Sequence, residues 1–247
     1  MKFESKINPE REIEPTEISA RGDLFTRRGL NPAIEIVAVI LLIVGRAIAN
    51  NLAVIFWLGN PPLRPFWYFQ FTEFLRGVYL IGFVFFVVAL KKESWTELGL
   101  IPPRWIKDLG IALSLIFATM LFWIPFALLI EKLGLYVFQE PSLPFVNPST
   151  TVESLWICIT AVVVGFAEEL LIRGYLLSRL LRLSGPLMSV IYSASVFAAW
   201  HISQGRFAVV HMFIWGLVYG WAFTKTRRLF PLALAHAINN MIVFLWV

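Results

Sequence analysis

Charge is scarce in this chain. Asp, Glu, Lys and Arg make up 15% of its 247 residues, where an average soluble domain carries about 25%. So few charges cannot cover the surface of a water-soluble fold of this length. Cysteine is nearly absent: Cys158 has no partner for a disulfide, and without a CxxC pair there is neither a cysteine metal site nor a redox motif. There is no internal repeat and no low-complexity run. Residues 1–29 do not read as a signal peptide, because they hold six Lys/Arg and six Asp/Glu with no apolar core or small-residue cleavage site. They read as a polar cytoplasmic lead of disordered composition, preceding a membrane domain over 30–247.

What the chain has in abundance is apolar residues, at 58%, with 22 Phe, 10 Trp and a mean hydropathy of +0.74. They come in blocks near 20 residues long rather than in helical stripes, which is the length that spans a bilayer. The fold class expected is therefore all-α, a polytopic membrane helix bundle. Seven membrane helices are expected, at 33–58, 66–90, 108–130, 152–177, 186–201, 208–224 and 230–247. Pro and Gly clusters mark the breaks, notably Asn60-Pro61-Pro62, Pro102-Pro103 and Ser184-Gly185-Pro186.

The net charge of +5 does not point to nucleic acid, because the basic residues sit between apolar blocks instead of along one polar face. Counted near helix ends, Lys and Arg number twelve on one side and three on the other. The positive-inside rule then places the N-terminus in the cytoplasm and the C-terminus outside. Trp57, Trp67, Tyr68, Trp95, Trp105 and Trp156 fall near helix ends, as an interfacial belt requires. The expected location is a prokaryotic plasma membrane, with the lipid bilayer as the first partner.

An ionisable group at mid-bilayer costs roughly 2.5–3.5 kcal/mol or more, so each needs a partner or a task. Glu73 and Arg76, three residues apart, can pair with each other, while Glu35 and Arg46 are near enough to helix ends to reach the interface. Those four read as structural. The fourth helix differs: adjacent Glu168 and Glu169 are followed by Arg173, and only Glu169 shares its face with Arg173 at i, i+4. One carboxylate is left over, in an apolar setting that suits a general base. The alternative is an ion-pair cluster holding helices together. The last helix projects His236 and Asn240 together at i, i+4, with Asn239 nearby, a pair able to donate to a developing oxyanion. Phe197 and His201 close the fifth helix.

The order EExxxR, FxxxH, HxxxN, each on its own membrane helix, resembles the CAAX prenyl protease type II and Abi family, also called CPBP intramembrane proteases. Here the motifs are Glu168-Glu169 with Arg173, Phe197 with His201, and His236 with Asn240. The resemblance covers roughly residues 95–245, including Trp95-Thr96-Glu97-Leu98-Gly99-Leu100. It implies hydrolysis of a peptide bond inside the membrane, in a membrane-associated or prenylated protein or peptide. By that resemblance Glu168 with His201 polarises the water, His236 with Asn240 stabilises the oxyanion, and Glu169 with Arg173 orients Glu168. No Ser-His-Asp set and no HExxH is apparent, which disfavours serine and zincin chemistry. No cofactor is expected; zinc on Glu168, His201 and His236 is the disfavoured alternative, since Asn is a poor zinc ligand.

Two features stay open at this level. Phe207 to His211 is a second FxxxH match, although the Phe- and Gly-containing helix that follows favours His201. Straight helices rising 1.5 Å per residue also put His236 about 10 Å, Glu168 about 15 Å and His201 over 20 Å from the cytoplasmic end. Levelling them takes a tilted or interfacially starting fifth helix. Other classes that suit the same residues are a proton- or ion-coupled transporter, which usually shows paired repeats, and a non-catalytic membrane scaffold.

Overall fold

The computed structural model describes residues 32–45, 48–49, 52, 65–134, 148–204 and 206–246. The lead expected at 1–29, Arg46, and the break at Asn60-Pro61-Pro62 lie outside these residues. Every regular element among them is helical. Helix α1 is Pro32–Val39, continuing as a π-helix over Ile40–Gly45. Helix α2 is Phe66–Leu90, followed by a 3-10 turn at Trp95–Leu98, and α3 is Trp105–Lys132. Helix α4 runs Thr151–Leu183, with a π-helical stretch at Leu170–Leu177. Then come α5 (Pro186–Trp200), α6 (Arg206–Thr226) and α7 (Phe230–Trp246).

The chain is an integral membrane protein built as a helical bundle. Helices α2, α3, α4 and α6 are long and apolar enough to cross a bilayer, whereas α5 and α7 are shorter apolar helices. At 1.5 Å per residue α5 is only about 22 Å long, less than the roughly 30 Å of hydrocarbon. Outward faces are covered by Leu, Ile, Phe and Val, for example Phe86, Phe117, Leu121 and Leu155, as lipid contact demands. Helix α4 is the exception, buried along most of its length between α2 and α7. Helix α5 packs on α6, and α3 on α7.

Small residues set the crossings, because helices in lipid associate by close backbone approach. A Cβ added at Gly77 would meet a Val163 side-chain methyl at 2.8 Å, and one at Gly165 would meet the Ala237 nitrogen at 2.9 Å. At Gly216 it would sit 2.8 Å from the Cα of Ala194. Helix α4 begins on a capping box: Thr150 Oγ1 accepts from the Glu153 amide, and the Glu153 carboxylate accepts from the Thr150 and Ser149 amides.

Two sequence expectations are corrected. Helix α4 does not stop near residue 177 but runs to Leu183, because the basic residues beyond 177 do not end it. Arg179 is buried and bonds Glu35 and Glu93, while Arg182 pairs with Glu97 at the surface. Glu35 is not solvent-exposed at its helix end either. It is buried, taking hydrogen bonds from Lys91, Tyr175 and Arg179, with the Arg179 guanidinium lying 3.5 Å from the centre of the Tyr175 ring. That cluster ties α1 to the basic end of α4.

Candidate active site

The longer α4 brings the three motif helices level. Glu168 lies fifteen residues before Leu183, and His201 lies fifteen residues after Pro186, with only Ser184 and Gly185 between the two ends. Both are therefore about 22 Å from that connection. Helix α7 starts deeper. The Leu229 amide donates to the Gly99 carbonyl at 2.9 Å, and a Cβ on Gly174 would meet the Leu98 carbonyl at 3.0 Å, so the start of α7 stands beside Gly174. His236 is six residues past Phe230 and Glu168 six residues before Gly174, about 9 Å on each helix. The Gly165 and Ala237 approach one turn away presses α4 and α7 together at this height.

Glu168 and Glu169 are both buried, at 4% and 0% exposure. Oε2 of Glu168 faces two imidazoles, 3.9 Å from Nε2 of His201 and 3.7 Å from Nε2 of His236. These separations are too long for direct hydrogen bonds and suit one bridging water. His201 Nδ1 lies 2.8 Å from the Phe197 carbonyl, which can only accept, so Nδ1 carries a proton and Nε2 is the variable site. His236 Nδ1 meets Oε1 of Glu169 at 2.8 Å, which turns the Nε2 of this ring toward Glu168 as well.

Glu169 also accepts from Nη1 of Arg173 at 2.8 Å, as i, i+4 spacing requires. Arg173 has no solvent exposure, and its guanidinium lies 4.5 Å from the ring centre of Phe197 and 5.6 Å from that of Tyr219, within cation–π range. Tyr219 OH accepts from Asn239 at 3.2 Å. The π-helical stretch opens directly after Glu169, and such wide turns occur preferentially at functional sites.

The placement separates the expected site residues into groups. Glu168, His201 and His236 converge. Glu169 and Arg173 pair with each other, but the carboxylate binds His236 instead of Glu168. Asn240 is half-buried one turn beyond His236, and its side chain makes no hydrogen bond among the described residues. His211 stands apart, its ring 4.2 Å from that of Trp123 and its Nδ1 buried without a hydrogen bond. Arg76, which the sequence places only beside Glu73, also reaches this cluster. It pairs with Glu73 as i, i+3 spacing indicates, and it also donates from Nη2 to Oε1 of Glu168 at 2.9 Å. Nothing local marks a contact across 92 residues. Among the described residues no group of three His, Cys, Asp or Glu stands at metal-ligand spacing.

Buried acid, imidazole and guanidinium groups gathered inside a membrane helical bundle define a polar centre shielded from lipid. Residues 150–242 match the family model described as Rce1-like, Type II CAAX prenyl endopeptidase. Over that stretch, which is less than half of its length, the chain is similar to this protease family, in keeping with the order of its three motifs. The match contains all seven motif residues and leaves out Arg76. No curated protein and no solved structure matches the chain.

Proposed function

We propose that the chain is a glutamate- and histidine-dependent intramembrane endopeptidase that processes the C-terminus of a CAAX-type prenylated protein or peptide. The observation that supports this reading most is the placement of one carboxylate oxygen, Oε2 of Glu168, within 4 Å of two separately anchored imidazoles.

A water between these groups donates one hydrogen to Oε2 of Glu168 and the other to Nε2 of His201. Its oxygen lone pair is thereby left toward the scissile carbonyl carbon. As the O–C bond forms, Glu168 takes the proton and negative charge moves to the carbonyl oxygen. Two donors meet that charge: Nε2–H of His236, present when the ring is doubly protonated against Glu169, and the amide NH2 of Asn240. Collapse of the intermediate breaks the C–N bond, and the proton held by Glu168 passes to the leaving amine. A carboxylic acid and an amine result, with the enzyme unchanged. Arg173 and Glu169 act on this sequence through the His236 ring, which they fix from behind.

The test is hydrolysis by purified protein in detergent of a fluorogenic farnesylated CAAX peptide, compared with the same peptide lacking the lipid. The proposal expects cleavage after the modified Cys and a preference for the farnesylated form. Failure to cleave either peptide contradicts it, and equal cleavage of both removes the prenyl requirement.

A further inference from the structure

We propose that Arg76 is a positioning residue for the general base: it holds Glu168 by one carboxylate oxygen so that the other faces both imidazoles. This rests on the reading of Glu168 as the base, and it adds a residue from α2, outside the three motifs and outside residues 150–242.

The geometry is specific. The guanidinium is first fixed by its own helix, with Nε and Nη2 donating to Oε2 of Glu73 at 2.9 and 2.6 Å. Its carbon lies 5.3 Å from the ring centre of Trp200, the residue preceding His201. From that seat Nη2 takes Oε1 of Glu168, and Oε2 is left at 3.9 and 3.7 Å from the imidazole nitrogens. The terminal torsion of a Glu is broad and nearly two-fold, so an unheld carboxylate would rotate and exchange its oxygens. Arg76 is also carried on a rigid contact. The next residue, Gly77, is where α2 meets α4 at Val163, too close for a Cβ. Pairing with Glu73 alone would satisfy the charge within α2, so the reach to Glu168 is an added contact.

The rival role is an anchor for a substrate carboxylate, since Nη1 of Arg76 is buried with no hydrogen-bond partner. The two roles separate in the kinetics. Wild type, R76Q, R76K, E168Q and R76Q/E168Q are assayed on the farnesylated fluorogenic peptide, with kcat, KM and thermal midpoint measured for each. A lost positioning contact lowers R76Q kcat by about 10- to 100-fold while KM stays within about 2-fold. R76K recovers most of the rate, because an ammonium can still hold one oxygen. With Glu168 already replaced, adding R76Q costs no further kcat. The proposal is overturned by a wild-type kcat in R76Q, by a loss confined to KM, or by an equal loss with and without Glu168. Should R76Q not fold, R76K and R76K/E168Q give the same cycle: R76K then shows a smaller kcat loss, and that loss vanishes beside E168Q. Full activity in E168Q marks a different failure, that of the base assignment itself, and leaves Arg76 nothing to position.

Discussion

Gly165 on α4 touches the backbone of Ala237 on α7 so closely that no side chain fits between them, with 2.9 Å from an added Cβ to the Ala237 nitrogen. The contact lies one turn from Glu168 and Glu169 on one helix and next to His236 on the other. It therefore sets the distance across the site as well as the packing of the bundle.

Gly165→Ala should accordingly destabilise the protein by about 1–3 kcal/mol, the usual range for overpacking where backbone must move. It should also lower turnover, because α7 carries His236 away from Glu168 and misplacement by about 1 Å can cost 100-fold. Gly82→Ala is the control, since a Cβ there meets nothing within 4 Å. Thermal midpoints and rates of the two variants check this, and a G165A protein matching wild type in both would show that the crossing is not what spaces the site.

Replacement of the two imidazoles that share FxxxH spacing should give opposite results. His201→Ala removes a group 3.9 Å from Glu168 and should reduce turnover by at least about 100-fold. His211 lies against Trp123, its Nδ1 buried without a partner. His211→Phe keeps the ring and removes an unsatisfied polar atom, so turnover should stay within about 2-fold of wild type and the thermal midpoint should not fall. The two variants are compared in one detergent, and a dead His211→Phe beside an active His201→Ala would transfer the motif to α6.

Much of this arrangement is legible in the sequence, and what is not legible has physical causes. Helix α2 is read at its observed limits because Pro65 and the run from Lys91 punctuate it. Helix α4 is read six residues short because Arg179 looks like a charge at a membrane boundary, while its partners Glu35 and Glu93 are 144 and 86 residues away in the chain. The apparent mismatch in depth between Glu168 and His201 has the same origin. A helix ended at 177 places Glu168 too near the basic face, and the true end at Leu183 restores equal lengths on both sides of the Ser184-Gly185 turn. Local spacing likewise finds Glu73 with Arg76 and Glu169 with Arg173. It misses Arg76 with Glu168 and Glu169 with His236, since those bonds exist only once α2, α4 and α7 are packed.

Orientation rests on the charge count. An N-terminal tag should be protected from external protease in intact cells and a C-terminal tag should be cut. Cleavage of the N-terminal tag with protection of the C-terminal one would reverse the topology and place Lys91, Arg179 and Arg228 outside.

Glu168→Gln is the most direct test of the mechanism, because it keeps size and hydrogen bonding while removing the base, and Arg76 remains held by Glu73. Turnover of the farnesylated peptide by wild type and E168Q is measured with and without a strong zinc chelator, alongside thermal midpoints. A folded E168Q protein at least about 100-fold slower than wild type is expected, with a wild-type rate indifferent to the chelator. Near-wild-type turnover by E168Q, or wild-type activity abolished by chelator and restored by zinc, would contradict this mechanism.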